Sequence, residues 1–125
     1  MSSLHRMITS DALHVRLGAE LEAIEQGGPV GPGARVARTL VKTGTLRVTM
    51  VALGTGGAIP AHRSEWPVSV HVLRGAIVVR AAAETFLLGE GELLAIRAGV
   101  EHDVTAMGGA VFLLTVAQGE AAPTT

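Results

Sequence analysis

From Arg35 onward, glycine-containing turns cut this chain every eight to twelve residues or so into short runs rich in Val, Leu, Ile and Thr. Runs of that length and composition are strands, because β-branched side chains pack well on a pleated surface while glycine supplies the corners. The nine runs are Arg35 to Lys42, Leu46 to Leu53, Ala58 to Arg63, Val68 to Arg74, Ala76 to Ala81, Thr85 to Leu88, Glu92 to Ile96, His102 to Thr105 and Ala110 to Ala117. So many strands exceed what one open meander usually holds, so the pattern predicts a closed barrel or two packed sheets.

The segment before them differs. Leu13, Leu17, Leu21 and Ile24 recur at helical steps with Glu20, Glu22 and Glu25 between them, predicting a helix over about Asp11 to Gln26. The run from Gly27 to Gly33, with prolines at 29 and 32, ends it. The expected organisation is an N-terminal helical segment and Gly/Pro-rich linker over 1–34, a β-barrel over 35–118 and a flexible C-terminal tail over 119–125. The last strand, Ala110-Val-Phe-Leu-Leu-Thr-Val-Ala117, is apolar at both parities, so both its faces are expected to be covered. Either the N-terminal segment shields the outer face or a homodimer interface does.

At 125 residues the chain suits one domain with a core large enough to need no staples. It has no cysteine, which excludes disulfides, thiolate metal sites and a cysteine nucleophile. A net charge of -1 gives no footprint for nucleic acid or an anionic membrane. The N-terminus lacks the apolar core of a signal peptide and no run reaches the length of a membrane span, so a cytoplasmic location is expected. The partners that remain are a small-molecule ligand and a second copy of the chain.

Histidine is then the natural metal-binding side chain, and five are present. His5 and His14 fall in the N-terminal segment, where a solvated role is expected. His62 and His102 each stand at a strand end beside a turn, where a barrel presents residues to its mouth.

Around these two histidines the chain resembles the cupins. Their first motif reads G, five residues, H-x-H, three or four residues, E, six residues, G; here stand Gly56, His62-Arg63-Ser64, Val68 and Gly75 at those intervals. Their second motif reads G, five residues, P-x-G, two residues, H, three residues, N; here stand Gly91, Arg97-Ala98-Gly99, His102 and Ala106. The match runs from about Arg35 to Ala117. It implies an all-β fold, a cupin jelly-roll β-barrel (double-stranded β-helix) with a short N-terminal helix. The family hosts oxygenases, isomerases, decarboxylases and ligand sensors on this one frame, so activity does not follow from it.

The resemblance also implies a metal held by the positions of His62, Ser64, Val68 and His102. Only the two imidazoles are good ligands; Ser64 can at best hold a water and Val68 cannot coordinate. The implied cofactor is one divalent transition metal (Zn, Fe, Ni or Mn), weakly held, or none. Strand alternation sets Val68, Val70 and Val72 on one face and Ser69, His71 and Leu73 on the other, so His71 replaces no ligand unless a bulge intervenes. Glu65 is expected to be a solvated turn carboxylate and Asp103 an outward surface charge.

Two functions of different class fit. One is a metal-dependent oxygenase or isomerase with His62 and His102 as ligands. The other is a metal-free binding or sensor module in which His62, Ser64 and His102 recognise a small polar molecule between walls of Val68, Met50 and Trp66. A hydrolase is not favoured, since no G-x-S-x-G elbow is present, and Gly54 to Gly57 lacks the lysine of a phosphate loop.

Overall fold

The computed structural model describes residues 11–27 and 30–118. Residues 1–10, 28–29 and 119–125, with His5 and the expected C-terminal tail, lie outside the described residues.

One helix precedes nine strands: α1 (Leu17–Gln26), β1 (Arg35–Thr43), β2 (Leu46–Leu53), β3 (Ala58–His62), β4 (Val68–Arg74), β5 (Ile77–Ala81), β6 (Glu84–Leu88), β7 (Leu93–Ile96), β8 (His102–Ala106) and β9 (Ala110–Ala117). Every strand expected from the sequence forms, within a residue or two at its ends. They divide into a five-stranded sheet, β1-β2-β9-β4-β7, and a four-stranded sheet, β3-β8-β5-β6, antiparallel throughout. The chain crosses between the sheets at each step from β2 to β5 and again from β6 to β9, in the jelly-roll manner, while β1–β2 and β5–β6 are hairpins within one sheet.

The main core lies between the sheets. Val51, Leu53, Val68, Val70, Val72, Ile77, Val79, Val104 and Phe112 all point into it. Phe112, Val70, Val72, Ile77 and Val79 are less than 2% exposed, so the barrel interior is packed with side chains. Full burial of such side chains supplies roughly 1.5–3 kcal/mol each against the chain entropy.

A second core lies on the outer face of the five-stranded sheet. There Leu21 and Ile24 of α1 cover Leu40, Met50, Ala52, Val111 and Leu113. This explains the two-sided apolar pattern of β9: Phe112 faces the barrel, while Val111 and Leu113 face the helix. The N-terminal segment therefore covers this strand from within the chain. An ion pair from Arg38 to Glu20, at 2.6 Å, ties the helix to β1.

The helix is shorter than its periodicity predicts. Asp11 to Arg16 are not helical, and α1 starts after an extended Arg16 that provides no side-chain cap. Leu13 and Leu17 are 38% and 39% exposed, whereas Leu21 and Ile24 are buried. The residues before α1 run over the same five-stranded sheet without helical form, with Val15 packed against the second core.

Candidate functional site

β3 and β8 carry the two histidines. The β3–β8 register runs Ala58 with Thr105 and Ile59 with Val104, then shifts so that His62 faces His102. Three residues on β3 thus span two on β8, which is a β-bulge at Pro60-Ala61. Proline suits it, since it has no N–H to offer a ladder and β3 is an edge strand. The bulge changes parity and turns His62 onto the same face as His102. A second link reinforces this: the Gly99 N–H donates to the Ser64 carbonyl at 2.8 Å, tying the turn before β8 to the connection after β3.

His102 shares its face with Val104 and Ala106 of the core, and pairs with Ala81 of β5. It is 4% exposed, while His62 lies exposed at the rim. The ring centroids are 4.3 Å apart at an interplanar angle of 61°. The His62 Nδ1 lies 2.9 Å from the Pro60 carbonyl and the His102 Nδ1 2.9 Å from the Val100 carbonyl. A carbonyl only accepts, so each Nδ1 carries the proton and each Nε2 of a neutral ring keeps its lone pair. The pair is thus two Nε2 acceptors whose tautomer the backbone sets.

The other residues singled out from the sequence are placed differently. The Ser64 hydroxyl accepts the Trp66 N–H at 3.1 Å, so it closes a local turn. Trp66 is half-buried in that turn. Val68 points into the barrel core opposite Ile96 and Val116. Met50 is no wall of a barrel-mouth pocket: it is fully buried on the far side of the five-stranded sheet, beneath α1. The interior positions of β2 at this level are Val51 and Leu53. His71, opposite Leu93 and Leu113, stands on the outer face, away from the pair. Glu65 and His14 are exposed.

Among the described residues, no three His, Asp or Glu side chains converge in a way that could hold a metal ion. Protein metal sites of the zinc or non-haem iron type use three or more protein ligands. Here two imidazoles suit a metal, Ser64 is engaged elsewhere and Val68 has no donor. The residues present do not make a full ligand set.

Beside the pair an open cleft of about 380 Å³ is lined by Ala61, Arg80, Glu84, Glu101, His102 and Asp103, with Ala81, Ala82, Ala83 and Thr85 of the β5–β6 hairpin. Asp103 faces away from the core and is only 17% exposed, because Arg80 across the ladder grips it bidentately at 2.8–3.1 Å. The Asp103 carboxylate raises the Arg80 guanidinium above its usual value, first by hydrogen bonding and then by its charge. Arg63 lies 4.0 Å from Glu101, both more than half exposed, an ion pair too wet to add much. Arg80, Glu84 and Glu101 carry no motif; Glu101 precedes His102 in the chain, and strand register brings Arg80 and Glu84 beside it. No helix of the described residues is long and apolar enough to cross a membrane.

Comparison with known proteins agrees with this architecture. A family model described as a cupin domain matches residues 40–117. A conserved protein of unknown function from Streptococcus pyogenes is 25% identical over 91% of this chain and 93% of its own, with a TM-score of 0.70. A cupin superfamily protein from Desulfitobacterium hafniense DCB-2 is 12% identical over 75% of this chain and 86% of its own, with a TM-score of 0.69. KdgF from Halomonas sp. is 19% identical over 74% of this chain and 87% of its own, with a TM-score of 0.65. These last two similarities bear on the fold alone. No curated protein matches the chain.

Proposed function

This chain belongs to the cupin family, and from that premise we propose that it is a binding module that holds a small polar molecule at the barrel mouth, without a metal and without turnover. The single observation that carries this reading is the His62–His102 pair. Two imidazoles at 4.3 Å, each with Nδ1 committed to a backbone carbonyl, turn both Nε2 lone pairs to the same use. Such a pair accepts hydrogen bonds from a guest that brings two donors.

The surroundings favour recognition over catalysis. The barrel behind the pair is filled by aliphatic side chains and Phe112, which leaves the guest at the rim, open to water. Catalysis usually draws on a desolvated, preorganised site. Among the described residues no Asp, Glu or third His joins the two rings in a cluster that could hold a metal.

A second reading has one observation in its favour: an Nδ1–carbonyl bond is the usual way in which a metal-bound imidazole is oriented. On that reading a divalent transition ion sits loosely on the two Nε2 atoms, with waters filling its shell.

One experiment separates the two. Protein purified without a histidine tag is analysed for metals, then screened by ¹⁵N-edited NMR of the imidazoles against a panel of small amines, polyols and carboxylates. The binding-module reading expects no stoichiometric metal, and shifts at His62 and His102 that vanish in His102→Ala. A stoichiometric transition metal, lost in both His62→Ala and His102→Ala, would sink it.

A further inference from the structure

We propose that an apolar slot beside His102, between the β5–β6 hairpin and β7, receives a hydrocarbon group the size of a benzene ring, so that the guest of this barrel is a small two-donor molecule carrying an aromatic or branched aliphatic group. The inference rests on the small-molecule reading above for the polar end of the guest, and it names the other end.

Register places the slot. His102 pairs with Ala81, so the imidazole and that methyl are neighbours on the barrel-facing side of the four-stranded sheet. Phe86 shares this side, because it pairs with Val79 of the core. On the other sheet Leu94 and Ile96 stand opposite Val70 and Val68 of β4, both core residues, so they too face the barrel. Together with Val100, whose carbonyl accepts the His102 Nδ1–H, these four side chains line a space of about 190 Å³ between β6 and β7, each the last strand of its sheet.

The lining sets the chemistry. Arg97, an exposed residue, is the one charged member of it, and every other side chain is hydrocarbon. Phe86, Leu94 and Val100 pack against the core yet are only half-buried, so the slot leaves apolar surface to water. A hydrocarbon guest that covers this surface is drawn in by the same effect that builds the core.

Volume sets the size. A cavity of about 150 Å³ walled by Leu, Ile and Phe takes up benzene. At about 190 Å³ this slot admits a ring or a branched chain of similar bulk, and a long acyl tail does not fit. The room exists because position 81, beside the imidazole, carries only a methyl.

The test compares phenyl glycol with ethylene glycol, which offer the same two hydroxyl donors with and without a benzene ring, by NMR titration of the imidazole and methyl signals of the unaltered protein. Phenyl glycol is expected to bind about 10-fold more tightly, the effect of burying most of a ring. Its ring protons are expected to give Overhauser contacts to the methyls of Leu94, Ile96 and Val100. Ala81→Leu, which fills the slot, is expected to remove the advantage of the ring, and Leu87→Ala, on the outer face of β6 opposite Val78, to keep it. Equal affinities, with both glycols moving the imidazoles and no ring contact to the slot, overturn the inference and leave the small-molecule reading standing. Ring contacts in the slot without a shift at either imidazole uphold the slot and sink the role given to the histidine pair. Methyl shifts at the slot that grow with protein concentration alone show that a second copy fills it, and the inference falls. If neither glycol binds, both fall.

Discussion

His62 and His102 stand directly opposite each other across the β3–β8 ladder, with ring centroids 4.3 Å apart, although 40 positions separate them in the chain. Each ring is pinned by a hydrogen bond from Nδ1 to the carbonyl two residues before it. Both rings are therefore oriented by their own strand, and the ladder only has to bring them together.

That orientation has a direct signature. In the neutral form both histidines are expected to be the Nδ1–H tautomer, readable from long-range ¹H–¹⁵N correlations of the rings. His102→Ala removes a buried ring and leaves the Val100 carbonyl without its donor. It is expected to cost about 1–3 kcal/mol in urea unfolding. His62→Ala, at the exposed rim, is expected to stay within about 0.5 kcal/mol of the parent. Similar losses for the two would mean that His62 is as enclosed as its partner.

Gly75 turns the chain from β4 into β5 at φ +73°, and a Cβ built there would run into the Gly109 carbonyl oxygen. Gly75→Ala meets both a left-handed backbone and a rigid main-chain neighbour. A loss above about 2 kcal/mol in chemical denaturation is expected. Gly91→Ala, at φ +83° with open space around the new methyl, should lose only the backbone part, about 1 kcal/mol.

The β5–β6 hairpin is closed by Ala82 and Ala83, at φ 53° and 63°. Two positive φ values in a two-residue loop are what a type I′ turn demands, and alanine is a poor residue for it. Ala82→Asn with Ala83→Gly, the favoured pair for such turns, should stabilise the protein by about 1 kcal/mol and raise its melting temperature.

Helix α1 acts as a lid on the second core, through two side chains. Leu21→Ala is expected to cost about 2–3 kcal/mol, because it opens space above Met50 and Leu113, while Leu17→Ala, 39% exposed, should cost under about 1 kcal/mol. Dye binding to exposed apolar surface should rise for Leu21→Ala alone.

Much of this molecule was readable in its residues. The glycine punctuation gave the strands their number and nearly their ends, because β-branched runs between turns have few other uses. On β4 the alternation of Val68, Val70 and Val72 with His71 told inside from outside, and the burial follows it. Motif spacing singled out His62 and His102 among the five histidines. Met50 resisted such reading: the last four residues of β2 are all buried, so alternation carries no sign of which face meets the barrel and which meets a helix.

What a sequence like this determines by itself is local: where strands break, which residues alternate, and which turns need glycine. What only the tertiary structure decided is pairing. The bulge that turns His62 inward, the capture of Asp103 by Arg80 and the meeting of Glu84 with the Glu101–His102 corner around one cleft all depend on register between strands far apart in the chain. Side-chain period is read along a strand, but register is set across strands by the packing of the whole barrel, and one residue of slip reverses every face.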